Sequence, residues 1–298
     1  MSDMLYQNAA TLSGLTIWYG VLVLLGYPGR APWRWLWPLL PLAAGWCSFR
    51  AVGWYLVTVH PALAPALQQL SGGRTLMLFI QDVGLREELF KLLFAIPCLL
   101  WLSPKPAIPR SSLLTAALVG LGFATAENRW FFGGHAEPTL LVGRVFSTTA
   151  LHMTATALCG AAFMAARLHS RPWAWFWTVF FCVVVAHGLY DWAPASTWAW
   201  LRAGGTSWLS QAVVIALIVS FFRTYQHLQP TSSMQPRVAL WFILGAAIQY
   251  TLSLGITWQR WGTSEALWIC ARECLLFLPV VTATAIVMAP ISRLKRKA

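Results

Sequence analysis

The sequence predicts an all-α protein, a polytopic bundle of about eight or nine transmembrane helices. Of its 298 residues, 58% are hydrophobic and 10% are charged, whereas about 25% of a soluble domain is charged. The mean hydropathy is +0.61. Apolar runs of about 20 residues, long enough to cross a bilayer core, recur from end to end. This composition argues against a soluble globular enzyme and against a disordered chain.

Nine apolar segments are candidate spans, at about 12–27, 37–59, 76–102, 113–132, 142–168, 173–192, 207–222, 238–258 and 266–289. The first and seventh are short for a span, and the third is long enough to contain an interfacial stretch before a span that starts near Arg86. Connections rich in Pro, Gly and Ser join the segments, and none is long enough for a soluble domain. We therefore predict a single integral membrane domain, residues 1–298.

The basic residues predict the orientation of the bundle. The net charge is +12, and Lys and Arg concentrate in cytoplasmic connections. The predicted cytoplasmic residues are Arg30, Arg34, Lys105, Arg110, Arg167, Arg171, Arg223, Arg237, Arg293, Lys295, Arg296 and Lys297. The predicted outer residues are Arg74, Arg129, Arg144, Arg202 and Arg260. This assignment puts the N-terminus outside and the C-terminus in the cytoplasm, with the lipid bilayer rather than nucleic acid as the partner of the basic excess.

Only nine residues are acidic, and ionisable groups inside spans are costly unless they serve function or a buried partner. In the third segment, Glu87 and Lys91 are four residues apart and can pair on one helix face. Glu88 points about 100° away and would be free for proton transfer. The polar stretch 81–86, which contains Gly84, offers a flexible entrance beside them. The alternative is a charge cluster at the interface that ends a span.

The fourth segment carries Glu127 and Asn128 near its predicted outer end. Gly120 and Gly122, which precede them, would let a neighbouring helix approach closely. Glu127 alone is equally compatible with an interfacial position or with an ion pair to Arg129 or Arg144.

Two histidines lie in the next two segments. His152 is surrounded in the sequence by hydroxyl side chains, and a lone intramembrane histidine is often only hydrogen-bonded to a neighbouring helix. His187 and Asp191 are four residues apart, so that Asp191 can orient the imidazole. The alternative is an interfacial Asp beside a packing His.

The four clusters are more informative together than apart. In the predicted topology they all lie in the outer half of the bilayer on sequential helices, with His152 about 12 Å deep. Independent structural charges have no reason to share one depth.

The combination resembles the PrsW family of intramembrane proteases, in the wider clan of CAAX prenyl proteases and bacteriocin-processing enzymes. The resemblance rests on the EExxK motif that begins at Glu87, the stretch from Gly120 to Asn128, the helix of His152 and the HxxxD motif that begins at His187. It covers about residues 76–192, the expected catalytic core. The prenyl-protease branch has FxxxH where this chain has Phe123 and Glu127, and His152 is the candidate replacement for that histidine.

The resemblance implies an intramembrane endopeptidase of the bacterial cytoplasmic membrane. Its expected substrate is a membrane-anchored protein, such as an anti-sigma factor or another signalling protein, cut near the extracytoplasmic side. We expect Glu87 or Glu88 to act as general base on water, His152 to hold that water and His187 to donate to the oxyanion. The expected supporting residues are Lys91, Glu127, Asn128 and Asp191.

The sequence leaves two questions open: whether the reaction uses a metal, and whether the protein is an enzyme at all. A catalytic zinc held by His152, His187 and Glu127 is the alternative to a metal-free glutamic protease, and the absence of an HExxH motif favours the metal-free form. An ion- or proton-coupled transporter and a non-enzymatic scaffold or immunity-type protein are the competing classes. A transporter would be expected to show internal repeats, and the sequence shows none.

Overall fold

The computed structural model describes residues 3–26, 38–60, 73–102, 109–134, 141–168, 170–196, 208–228 and 236–289. Within these ranges there are nine long helices and no strand, so the all-α prediction is confirmed. The helices are α1 (Asp3–Leu24), α2 (Leu39–Thr58), α3 (three consecutive parts, Gly73–Leu78, Phe79–Leu85 and Arg86–Leu102), α4 (Pro109–Gly134), α5 (Leu141–Arg167), α6 (Trp173–Ala195), α7 (Trp208–Leu228), α8 (Pro236–Trp261) and α9 (Thr263–Met288).

Each of the nine predicted segments overlaps one of these helices. Five helices, α5 to α9, are long and apolar enough to cross a membrane by length and composition. In α1 the apolar part is the shorter stretch Thr11–Leu24. An all-α membrane bundle is therefore established, whereas the number of spans and the orientation of the termini stay predictions. Several basic residues used for the orientation, among them Arg30, Arg34, Lys105, Arg202 and the tail 293–297, lie outside the described residues.

The centre of the bundle is formed by α4 and α5. In α5, 83% of the most apolar 18-residue window is buried, against 22% in each of α8 and α9. Residues 111–126 of α4 are buried without interruption. Helices α1, α2 and α3 pack on α4, and α3, α6 and α7 pack on α5. The four helices that carry the predicted site residues, α3 to α6, are thus neighbours around the most buried part of the molecule.

Glycines let the central helices approach each other closely. A Cβ atom on Gly120 of α4 would overlap the carbonyl of His152 on α5, and one on Gly122 would overlap the carbonyl of Leu42 on α2. The predicted role of these two glycines is confirmed. Small residues at helix contacts allow this approach in membrane bundles, and here the contact at Gly120 fixes the position of His152 relative to α4.

Two π-helical segments interrupt the α-helical geometry, Phe79–Leu85 in α3 and Arg144–Thr148 in α5. The first contains Gly84, which is buried and would place a Cβ atom 2.5 Å from the carbonyl oxygen of Val184 on α6. The stretch 81–86 is therefore helical and packed against α6 rather than a flexible entrance. Single π-helical turns occur frequently at functional sites, and each segment here directly precedes candidate site residues.

Tryptophans and one glycine mark the ends of the helices. Trp173, Trp175 and Trp258 are exposed, as expected of side chains at the membrane–water interface. Trp192, near the end of α6, is instead buried in the bundle. Helices α8 and α9 are joined by Gly262 alone, whose φ of 85° lies in the left-handed region that favours glycine.

Candidate active site

Glu88 lies at the centre of a buried network that joins α3, α5 and α6. The Nζ atom of Lys91 donates to Glu88 Oε1 at 2.6 Å and to His152 Nδ1 at 2.8 Å. His187 Nδ1 lies 2.7 Å from the same Oε1 atom. All four side chains are at most 2% exposed. Glu88 Oε1 therefore links α3 to α6, and Lys91 of the same EExxK motif links α3 to α5.

Lys91 binds Glu88, whereas the sequence suggested that it would bind Glu87. Lys91 Nζ is 4.0 Å from Glu87 Oε2, at the limit of an ion pair, but only 2.6 Å from Glu88. In this helix the i,i+3 pair therefore forms the hydrogen bond, and the i,i+4 pair does not. The prediction that Lys91 holds Glu87 and leaves Glu88 free is wrong: Glu87 is the carboxylate without a close cationic partner.

Glu87 faces the second nitrogen of His187. Its Oε2 atom lies 3.6 Å from His187 Nε2, and Asp191 Oδ2 lies 3.2 Å from that same nitrogen. The Oε2 atom of Glu87 is buried and makes no hydrogen bond to the described residues. Asp191 is near enough to orient His187, as its spacing in the sequence indicated. An unpaired carboxylate oxygen beside an oriented imidazole is the arrangement expected where a water molecule or substrate atom binds.

A second network holds Glu127 and Asn128 of α4. Glu127 Oε2 accepts a hydrogen bond from His152 Nε2 at 2.8 Å and lies 3.0 Å from Arg144 Nη2. Arg144 Nε donates to Asn128 Oδ1 at 2.8 Å, and Asn128 Nδ2 donates to Thr149 Oγ1 at 3.0 Å. Of the two possible partners of Glu127, the structure therefore selects Arg144. The bond from Lys91 leaves His152 Nδ1 as an acceptor, so the ring proton of the neutral imidazole lies on Nε2, toward Glu127.

Several residues that complete the site had been given no role in it from the sequence. The ring of Phe123 lies 5.0 Å from that of His152 and 4.5 Å from Lys91 Nζ. The hydroxyl of Tyr190 is 2.7 Å from Thr148 Oγ1 and accepts from Ser147 Oγ at 3.1 Å. Arg144, counted among the outer basic residues and named as a possible partner of Glu127, lies on the π-helical segment of α5 and is only 14% exposed. The sequence indicated this placement of Arg144 in one way: the residue stands at the start of an apolar run, on the same predicted helix as His152.

The site is open along one edge. Glu88, Lys91, His152 and His187 are buried, whereas Glu127 is 21% and Asp191 is 31% exposed. Glu87 and Arg144 have intermediate exposure. The accessible edge therefore runs from Glu87 and Asp191, on α3 and α6, to Glu127 and Arg144, on α4 and α5. A substrate reaching the unpaired oxygen of Glu87 must enter along this edge.

The charges of the cluster leave room for further positive charge. Four carboxylates, those of Glu87, Glu88, Glu127 and Asp191, face two permanent cations, Lys91 and Arg144. With neutral imidazoles, two negative charges in a largely buried site are left without a direct ion pair, before the attraction of Arg86 to Glu87 is counted. Two additional protons, or one divalent cation, would balance them.

Three donor side chains lie close enough together to hold a metal ion, but His152 would first have to release Lys91 or Glu127, because both of its ring nitrogens are hydrogen-bonded. One ligand atom from each of Glu87, His152 and His187 lies within 4.8 Å of the others, and two imidazoles with one carboxylate form a common catalytic zinc set. The buried, unpaired Oε2 atom of Glu87 supports this fit. The set differs in one member from the predicted one, because Glu127 is turned toward His152 and Arg144, and Glu87 takes the carboxylate position.

Comparison with known families gives one match. The model of the family described as PrsW family intramembrane metalloprotease matches residues 31–222, well over half of the chain. The chain belongs to the PrsW family. No curated protein and no solved structure matches it.

Membership of the PrsW family makes this protein a membrane protease and an integral membrane protein. The matched region contains all eight residues predicted for the site, and it extends from before α2 into α7. Helices α8 and α9 lie beyond it. The family therefore accounts for α3 to α6 and the cluster they carry, and the description as a metalloprotease is compatible with the set of Glu87, His152 and His187.

Proposed function

We propose that this PrsW protein hydrolyses a peptide bond of a membrane-anchored protein, near the extracytoplasmic side of a bacterial cytoplasmic membrane, with water activated by Glu87. The observation that carries the proposal is the unpaired Oε2 atom of Glu87, buried 3.6 Å from a histidine that two other carboxylates hold in place. The substrate class follows from the family and from the depth predicted for the site. A signalling protein such as an anti-sigma factor is the candidate.

The hydrolysis uses Glu87 twice. A water bound at the open edge transfers a proton to Glu87 Oε2 while its oxygen attacks the carbonyl carbon of the substrate. The Nε2–H group of His187 shifts from Asp191 to the oxyanion that forms, while Glu88 keeps the imidazole oriented through Nδ1. The proton on Glu87 then passes to the amide nitrogen as the C–N bond breaks, which releases the amine and restores the carboxylate.

The remaining residues position Glu87 and His187. Lys91 neutralises Glu88 and fixes its carboxylate against His187. His152 holds the Lys91 ammonium group through Nδ1, and one of its ring nitrogens lies within 4.8 Å of a Glu87 carboxylate oxygen. Glu127 and Arg144 lie at the accessible edge, where the guanidinium group can bind the backbone of an unwound substrate segment. The buried Asn128 amide holds Arg144 in place.

A zinc-dependent form of the same hydrolysis is the second candidate. It is favoured by the three donors within 4.8 Å and by the family description. Glu87, His152 and His187 would hold the ion, and the chemistry supplied when it is bound is polarisation of water and of the scissile carbonyl. Zinc analysis of the purified protein, with activity measured after chelation, separates the two. Full activity without stoichiometric metal supports the glutamic form, and loss that only zinc restores supports the other.

The function itself is tested by mapping new peptide ends in membranes. Cells that express the wild type are compared with cells that express Glu87→Gln or, as a control, Glu265→Gln, which changes an exposed acid outside the site. We expect new ends near the outer boundary of a single-span protein with the wild type and the control, but not with Glu87→Gln. A transporter or a scaffold would give no ends that depend on Glu87.

A further inference from the structure

A cavity lies at the end of the bundle opposite the active site. Its volume is about 610 Å³, and it is formed where the end of α5, the start of α6 and the end of α7 meet. Arg171, Arg223 and His227 line its rim, and all three are exposed. Arg167, at the end of α5, is fifteen residues from His152, so this rim is about 22 Å from the depth of the site along the helix.

The loop between α5 and α6 fixes one side of the rim. The backbone N–H groups of Ser170 and Arg171 both donate to the carbonyl of Ala165, at 3.0 and 3.2 Å. The loop is therefore folded onto the end of α5, and Arg171 stands beside the last turns of α7. Helix α6 begins at once with Pro172 as its N-cap, which provides no side-chain hydrogen bond, so its first N–H groups need acceptors from elsewhere.

The rim has no counter-ion from the helices that form it. Residues 138–190 and 192–264 contain no Asp or Glu. Asp191, the one acid between them, lies at the other end of α6 and contacts His187. Two guanidinium groups that share a concavity, without a carboxylate among the elements that build it, are suited to an anion from outside the protein.

The depth of the cavity indicates which anion. Trp173, Trp175 and Trp177 at the start of α6 are 46%, 48% and 51% exposed, which marks the membrane–water interface. Arg171 lies just beyond this level, where lipid headgroups are found. The wall of the cavity is apolar and extends toward the bilayer interior, and Val179 lies about 9 Å below Trp173 along the helix.

We propose that this cavity, the α5–α7 cavity, binds an anionic phospholipid. The phosphate group lies between Arg171 and Arg223, and an acyl chain follows the wall made by Ala161, Ala162 and Val179. Basic cavities between transmembrane helices are general sites for acidic headgroups. A free phosphate would use only the rim, whereas a phospholipid uses both the rim and the wall. The bound lipid holds the three helices together at the end away from the catalytic residues.

The test measures lipid binding to the purified, delipidated full-length protein in neutral detergent. The probes are phosphatidylglycerol, phosphatidylcholine with the same acyl chains, glycerol 3-phosphate and inorganic phosphate. The variant Arg171→Gln/Arg223→Gln is compared with Arg167→Gln/Arg237→Gln. The control pair removes the same charge from exposed arginines that do not line the cavity. Binding is read by native mass spectrometry and by the shift in unfolding temperature.

We expect phosphatidylglycerol to bind the wild type and the control pair alike, and to bind the cavity variant at least about tenfold more weakly, since each arginine near the headgroup contributes about 1 kcal/mol. Equal binding of phosphatidylcholine, or an equal loss in both double variants, would overturn the proposal. Stabilisation by inorganic phosphate as strong as that by phosphatidylglycerol would also overturn it, because the apolar wall would then play no part.

Discussion

Glu87 and Glu88 are adjacent in the sequence but have different surroundings. Each glutamate has an unpaired Oε2 atom among the described residues, but Glu88 is 1% exposed and its Oε1 atom is bonded to Lys91 and His187, whereas Glu87 is 13% exposed and lies beside the open edge. Removing the charge of Glu88 leaves the buried ammonium group of Lys91 without its closest partner. Substitutions at Glu88 are therefore expected to reduce the stability of the protein, whereas substitutions at Glu87 are expected to reduce its activity.

Removing the Glu88 carboxylate should destabilise the protein strongly. We expect Glu88→Ala to lower the free energy of unfolding by about 3–5 kcal/mol, because Lys91 is then buried and unpaired. Replacing both members, as in Glu88→Gln/Lys91→Met, should recover part of this loss. Glu87→Gln should unfold near the wild-type temperature. Thermal unfolding in detergent measures all four proteins, and a Glu87→Gln protein less stable than Glu88→Ala would contradict this assignment.

At the scale of the helix, the contact between α3 and α6 determines the distance from His187 to both glutamates. A Cβ atom on Gly188 would lie 2.6 Å from the Cα atom of Ile80, in the π-helical segment. Backbone atoms cannot give way as a flexible side chain can, so Gly188→Ala must separate the helices. Gly53 and Gly255 also lie in helices, but a Cβ atom added to either would meet no described atom within 4 Å beyond its chain neighbours and its own helix backbone.

Gly188→Ala should therefore lower both the unfolding temperature and the rate of substrate cleavage. Gly53→Ala and Gly255→Ala are the matched controls, and they should leave activity unchanged and raise stability by up to about 1 kcal/mol, the helix propensity of Ala over Gly. Cleavage assays and thermal unfolding on the three variants check this. Wild-type activity in Gly188→Ala would show that the α3–α6 contact does not position His187.

The helices themselves could be predicted from the sequence, because apolar runs and charged or proline-rich breaks reveal them directly. The π-helical segments could not, since an extra residue per turn leaves no periodic signature in an apolar stretch. That Lys91 pairs with Glu88 could not be predicted from the sequence either. Both glutamates are within reach of Lys91 on one helix, and the third partner, His187, lies 99 residues away from Glu88 in the chain.

At the scale of the whole molecule, the orientation in the membrane remains a prediction from charge. One residue counted on the outer side, Arg144, is bound to Glu127 and Asn128 inside the bundle. Arg144 is therefore part of the helix bundle and does not belong to a loop on the outer side. Without Arg144, four basic residues are counted on the predicted outer side against twelve on the predicted cytoplasmic side, so the predicted orientation does not depend on it.

Thiol labelling in intact cells tests this orientation. In a protein whose six native cysteines are replaced, Glu137→Cys should react with a membrane-impermeant reagent added outside. Ser232→Cys should react only after the cells are opened. The two positions lie in connections that the prediction places on opposite sides of the membrane. Labelling of Ser232→Cys alone in intact cells would reverse the topology and move the site to the cytoplasmic side.

The central claim is that the unpaired carboxylate of Glu87 activates water for peptide hydrolysis. The most direct measurement is the cleavage rate of the mapped single-span substrate by purified protein in liposomes. We expect Glu87→Gln to reduce kcat/KM by about 10²–10⁴-fold, the usual contribution of a general base, while Glu265→Gln retains the wild-type rate. Cleavage by folded Glu87→Gln at the wild-type rate would contradict the claim.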